Sequence, residues 1–233
     1  MSEKINYETF LYISSKKLII LVNSELNKKI YEKELIFDQE SKEIVFDRLE
    51  HLLKENIFQI EKKLKSFIKK IFIIIDLDIF FPVEISIKRN NHKQNLNLDN
   101  ISHVLYEAKD CCKKTIDQKK IVHMIINNYK IDNKEYSYLP NNVNCNNFSL
   151  DVKFISISNK LIHNLEKILK KFQISISHIV SANYINKFNL DGDEDVFLMT
   201  KKIINGYNPN EVKLINKTKE NKGFFEKFFN FFN

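Results

Sequence analysis

Three glycines in 233 residues, Gly192, Gly206 and Gly223, limit what this chain can become. Loops that cradle phosphate turn consecutive backbone N–H groups toward the ligand, and glycines permit that close approach. No two of these glycines are near enough to share such a loop. Nucleotide binding by a glycine-rich loop is therefore not expected.

The remaining composition sets a broad frame. Hydrophobic residues make up 43% of the chain, and its length suits one large domain or two small ones with a real core. The net charge of +7 points to an anionic partner, which is nucleic acid, anionic lipid or an acidic peptide. Heavy use of Ile, Lys, Asn and Phe dilutes that signal. Cys111, Cys112 and Cys145 are odd in number and two are adjacent, so neither a disulfide framework nor a C-x-x-C metal site fits. The opening MSEKINYETF lacks the apolar core of a signal peptide. The run Ile71 to Ile75 is far too short for a membrane span. A reducing, cytosolic setting is expected.

Periodicity gives the elements. FLYISSKKLIILV reads as two strands about a turn at Ser14–Lys17, and Lys28 to Phe37 as a third. Leu49, Leu52, Leu53, Ile57, Ile60, Leu64, Phe67 and Ile68 fall at helical spacing, with lysines over the rest of the surface. IFIIID is a buried strand. Phe81 to Lys88 is a strand before a polar loop, Arg89 to Asn97. Asp99 is expected to cap a helix with Ile101, Val104, Leu105, Ala108, Cys111 and Cys112 inward. KIVHMIINNYKID is a long strand, and LDVKFISIS another after an Asn-rich loop. Asn159 caps a helix carrying Leu161, Ile162, Leu165, Ile168, Leu169 and Phe172, and Ile174 to Val180 closes the unit as a strand. Ser181 to Phe188 and Asp193 to Ile204 read as short helices, the second stopped by Gly206. The class is α+β.

The region from Asp99 to Val180 resembles the inserted subdomain of FtsA, the actin-like protein that ties the bacterial division ring to the membrane. The resemblance rests on Ala108, on IVHMIINNYKID with its His, Tyr and Asp, and on LDVKFISISNKLIHNLEKILKKFQISISHIVSANY. FLYISSKKLIILV sits where the family has its first phosphate loop, and GFFEKFF is similar to the family's membrane-targeting end. The resemblance implies a partial actin-like (ribonuclease H-like) half-lobe at 1–80 and a strand-helix-strand-strand type inserted subdomain at 81–180. Short helices would return to the lobe at 181–206, a polar basic linker would span 207–222, and a C-terminal amphipathic helix would occupy 223–233.

Departures from the family pattern shape the functional expectation. The L-D-x-G-T pattern of the phosphate loop is replaced by Leu11 followed by Tyr12, Ile13, Ser14 and Ser15, so both the acidic residue and the glycine are missing. The second phosphate loop, the adenosine site and the lobe that would bind the tail of FtsZ have no counterpart. Neither a cofactor nor ATP binding is expected.

The last ten residues hold six phenylalanines. Stepping about 100° per residue, Phe224, Phe225, Phe228, Phe229, Phe231 and Phe232 fall on one arc, opposite Glu226, Lys227, Asn230 and Asn233. Lys213, Lys217, Lys219, Lys222 and Lys227 outnumber Glu220 and Glu226. An apolar face with a basic approach is the two-signal pattern of a reversible membrane anchor. The same face would also fit a groove on the chain's own core or on a partner. Burying a phenylalanine is worth about 1.5–3 kcal/mol, and ordering costs about 1–2 kcal/mol per residue. Attachment by this segment alone is expected to be modest.

Other chemistry reads as structural. Asp76 and Asp78 form a D-x-D at a strand end, and Asp191, Asp193, Glu194 and Asp195 lack the spacing of a calcium loop. The histidines, His51, His92, His103, His123, His163 and His178, show neither metal-ligand spacing nor a nucleophile motif. The basic helix near Lys62 to Lys70, with Lys88, Arg89, His92 and Lys93, carries no nucleic-acid recognition motif.

The expected function is a non-enzymatic division adaptor, peripheral on the cytoplasmic face of the inner membrane at the division site. Its partners would be divisome proteins, including FtsZ or late division proteins, a second copy of itself, and an anionic membrane surface. Nucleic acid and small-molecule substrates are not expected. The alternatives are a PilM-like adaptor of a pilus or secretion machine and a nucleic-acid-binding protein using the basic face.

Overall fold

A computed structural model describes residues 7–140, 143–189 and 195–213. In chain order they form strands β1 (Tyr7–Ser14), β2 (Lys17–Ser24) and β3 (Lys29–Ile36), helix α1 (Phe46–Leu64), then β4 (Lys70–Asp76) and β5 (Phe81–Asn95). Helix α2 (Leu98–Thr115) leads to β6 (Lys119–Ile131), β7 (Lys134–Tyr136) and β8 (Asn144–Ser158). The chain continues with α3 (Asn159–Lys170), β9 (Ser175–Ser181), α4 (Ala182–Ile185), a 3-10 turn and α5 (Val196–Ile204).

The first sheet has the order β3-β2-β1-β4-β9. Its β3-β2-β1 side is an antiparallel meander, while β1, β4 and β9 run parallel. Alternation decides which side chains face which layer. Leu11, Ile13, Leu18, Ile20, Ile71 and Ile73 pack under α1 and α3. Phe10, Ile19, Leu21, Ile74 and Val180 face α4 and α5. The result is a helix–sheet–helix sandwich with mixed α+β content, as expected.

The second sheet, β5-β8-β6-β7, is inserted in the connection between β4 and β9. It buries one face against α2 through Val104, Ala108, Met124, Leu150, Val152 and Phe154. Helix α2 begins at a reciprocal cap in which Asn97 and Asn100 exchange side-chain and backbone hydrogen bonds, so Asn97 fills the role expected of Asp99. Cys111 is exposed on the outer face, contrary to the inward expectation, whereas Cys112 is buried.

Several boundaries differ from expectation, the sheet assignments because of distant partners and Phe67 because of a local turn. The strand expected to close the inserted unit, β9, instead forms an edge of the first sheet beside β4, and α3 packs in the first core. The unit expected at 81–180 therefore keeps α2 and β5 to β8 and gives α3 and β9 to the first sheet. The polar stretch Arg89 to Asn95 is strand, not loop, because β8 extends far enough to pair with it around a bulge at Asn90/Gln94. Asn91, buried in that bulge, donates to Gln94 O and Cys145 Sγ. Phe67, expected to face inward from α1, is 80% exposed because the helix stops at Lys65 in a left-handed turn. Gly206, with φ +92°, takes the left-handed conformation that ends α5.

Candidate functional site

The place that the FtsA resemblance sets against a first phosphate loop is the β1–β2 turn, where Ser14 and two backbone amides are engaged with one another. Ser14 Oγ accepts from Lys16 N at 3.4 Å and Lys17 N at 3.1 Å. Those two amides are therefore directed at Ser14. The turn is strapped from outside by Phe37 N donating to Lys16 O and Ser41 N donating to Ser15 O. Lys16 pairs with Glu40 at 3.0 Å, and Ile13 is buried in the first core.

Tyr12 completes the closure. Its hydroxyl donates to Asp76 Oδ2 at 2.5 Å, joining the end of β1 to the end of β4. Burial first, and then the bond to Asp76, push the Tyr12 phenol far above the ordinary tyrosine range, which keeps it a donor. Asp76, half of the D-x-D pair, is thus capped by a phenol. Tyr12→Phe is expected to lower stability by about 1–2 kcal/mol, since it removes a hydrogen bond to a charged acceptor that is half-buried. Denaturant titration measures it.

A second polar constellation holds the two sheets together. His123, on β6 with 2% of its side chain exposed, lies against the Tyr184 ring at 4.5 Å. Ser181 N donates to His123 Nε2 at 3.2 Å, so the ring proton sits on Nδ1, which donates to Glu211 Oε1 at 2.8 Å. Tyr184 Oη donates to Glu211 Oε2 at 2.9 Å and accepts from Asn208 Nδ2 at 2.8 Å. Burial chiefly, with the Glu211 charge, drives the Tyr184 phenol well above its ordinary value despite the Asn208 bond.

Backbone bonds fix the same segment to the second sheet: Ile126 N donates to Asn210 O, and Val212 N to Met124 O. Residues 207–212, expected as linker, are therefore a strap along β6 that reaches α4 through Asn208 and Glu211. The constellation is buried and satisfied, so its work is to fix one geometry between the sheets. The stretch IVHMIINNYKID shows its His without the partner, because Glu211 is 88 residues away in the chain. The Tyr and Asp of that stretch are structural too. Tyr129 is buried in the second core, and Asp132 Oδ1 accepts from Asn146 N and Asn147 N.

His178, on β9, stacks on Phe72 with ring centroids 5.7 Å apart. Burial, followed by the charge of Lys213, holds its pKa below the ordinary 6.5. The unfolded chain therefore binds this proton more readily, and the contribution of His178 to stability is present above pH 6.5 and lost as pH falls through the folded value. Stability is expected to rise from mildly acidic to neutral pH, with a smaller rise in His178→Gln, measured by denaturant titration across that window.

Among the described residues, no three His, Cys, Asp or Glu side chains gather as a metal would need. None of the described helices is long and apolar enough to cross a membrane. Two open surface depressions, one lined by Tyr31, Lys33 and Asn56 and one by Asn27, Lys201 and Tyr207, involve neither Tyr12–Ser15 nor Asp76. Asp195, the described member of its acidic cluster, caps α5 by accepting from Phe197 N. The candidate membrane residues Phe224, Phe225, Phe228, Phe229, Phe231, Phe232, Lys217, Lys219, Lys222 and Lys227 lie outside the described residues.

No protein-family model matches the chain. No curated protein matches it either. Among solved structures it is similar to the PilM–PilN type IV pilus biogenesis complex, at 8% identity and TM-score 0.47 over 79% of this chain and 50% of that one. It is also similar to the cytoplasmic domain of EpsL, an inner membrane component of the type II secretion system of Vibrio cholerae. There the identity is 10% and the TM-score 0.36, over 76% of this chain and 56% of that one. A third is a Bacteroides thetaiotaomicron protein with an actin-like ATPase fold and unknown function, at 13% identity and TM-score 0.34 over 82% and 58%. The chain spans about half the length of these structures.

Proposed function

We propose that the chain is a non-enzymatic adaptor that tethers or organises division proteins at the cytoplasmic face of a bacterial inner membrane. The observation that carries this reading is the closed phosphate-loop position, where Tyr12 caps Asp76 and Ser14 takes the turn's amides. A body of this kind, locked by the His123–Glu211–Tyr184 clamp, serves as a scaffold and not as a nucleotide-driven machine. The strand order β3-β2-β1-β4-β9, with a second sheet inserted before its last strand, supports an actin-like half-lobe carrying an FtsA-type insertion. The phenylalanine face of residues 223–233 and its basic approach supply the membrane foot. Divisome proteins, FtsZ among them, or a second copy of the chain are the partners proposed for the inserted sheet.

A fluorescent fusion at native level tests the setting. Midcell localisation that is lost on deleting residues 223–233 is expected; a nucleoid-associated or uniformly cytosolic signal would contradict it. A second reading keeps body and foot and changes the machine to a PilM-like adaptor of a pilus or secretion apparatus, the setting that two neighbours' descriptions name. It predicts localisation with that apparatus instead.

A further inference from the structure

We infer that the end of the first sheet carrying Phe67 is a second membrane contact: a lysine-rimmed face that rests on anionic lipid headgroups and orients the body. This rests on the membrane reading above and goes beyond it, because the contact belongs to the folded body and not to residues 223–233.

Topology assembles the face. The parallel strands β4 and β9 start side by side, with Lys70 opposite Ser175. Helices α1 and α3 each precede one of these strands, so both finish at the same end of the sheet. The two connecting loops form one rim, because Lys69 O accepts both Ser175 N at 2.9 Å and Ser175 Oγ at 3.0 Å. Lysines in the last turn of a helix are explained by its dipole, which accounts for Lys62, Lys63, Lys167 and Lys170. It does not account for Lys65, Lys69 and Lys70, which lie beyond the helix. Among the described residues, Lys65, Lys69, Lys70 and Lys170 make no ion pair, whereas Lys171 is held by Glu50.

Phe67 stands in this rim, 80% exposed, on a loop pinned by Ile68 N donating to Glu61 Oε1. One exposed phenylalanine is unremarkable by itself. An exposed aromatic on a loop with lysines that make no ion pair among the described residues has the composition of an interfacial contact, with the ring entering the acyl boundary and the ammonium groups staying at the headgroups. Charge complementarity, with an aromatic ring standing out beside the cations, selects lipid as the occupant.

The chain contains no tryptophan, so Phe67→Trp places a single reporter at the rim of the full chain. Phosphatidylcholine vesicles with and without phosphatidylglycerol are the probe. With anionic vesicles, emission from the introduced indole is expected to shift to the blue and to be quenched by brominated acyl chains. The double variant Lys69→Glu/Lys170→Glu is expected to bind anionic vesicles at least about tenfold more weakly, from the known contribution of each basic residue near such a surface, with an unchanged unfolding midpoint. If the chain sediments with vesicles while the reporter stays unquenched, the inference is overturned and the foot alone does the work. If the full chain fails to sediment at all, the membrane reading falls and takes the inference with it. Salt-sensitive retention on single-stranded DNA that displaces the vesicles would also overturn the lipid assignment.

Discussion

Replacing Glu211 by alanine is expected to lower stability by about 2–4 kcal/mol, because it leaves the buried His123 Nδ1–H and the Tyr184 hydroxyl without their acceptor. Both donors now reach Glu211 within 2.9 Å, and its side chain is only 13% exposed. The His123 ring cannot turn toward water without giving up the bond that Ser181 N donates to its other nitrogen. Glu211→Gln keeps one acceptor oxygen and nearly the same shape, so its cost is expected to be about 1 kcal/mol. Urea titration of the two variants separates the loss of the acceptor from the loss of volume. Amide exchange at Ile126 and Val212, which bond the 208–212 strap, is expected to quicken more in the alanine variant. Equal stability of wild type and Glu211→Ala would show that the two sheets do not depend on the clamp.

Phe197→Ala carries the other large effect, an expected loss of about 3–5 kcal/mol, as for other buried phenylalanines cut to alanine. Phe197 is 5% exposed and is the principal aromatic anchor of α5 on the first sheet, with its ring 5.8 Å from Phe10 and 6.1 Å from Tyr12. The helix is nine residues long, too short to persist without that anchorage. Its loss would also bare the flank of Tyr12, so the Tyr12–Asp76 bond is expected to weaken with it. Phe197→Leu refills most of the space and is expected to cost less than about 1.5 kcal/mol. Thermal and denaturant unfolding of the pair checks the ordering.

These two variants also mark where the sequence was legible and where it was not. The strands of FLYISSKKLIILV, the helix from Leu49 to Leu64 and the buried IFIIID follow from local period, and each appears close to its expected place. Partner choice is another matter. Period shows that Ile174 to Val180 is a strand but not which sheet receives it, and β9 pairs with β4 across almost the whole inserted unit. Arg89 to Asn95 reads as loop by polarity, and only the length of β8 makes it strand. Phe67 shares the helical spacing of its neighbours, yet the left-handed Lys65 turns it out.

The candidate site shows the same division. The departure of Tyr12 to Ser15 from the phosphate-loop pattern of the resembled family is visible in the sequence. The bond that Tyr12 makes is not, because Tyr12 and Asp76 are 64 residues apart. Glu211 opens a run so polar that it reads as linker, and its burial depends on His123 and Tyr184, which adjacent residues do not reveal.

Titration calorimetry of the intact chain with ATP and magnesium tests the central claim most directly. No saturable heat is expected, because Asp76 is capped by Tyr12 and the Lys16 and Lys17 amides are taken by Ser14. Saturable, magnesium-dependent binding abolished by a substitution at Ser14 or Asp76 would contradict this expectation.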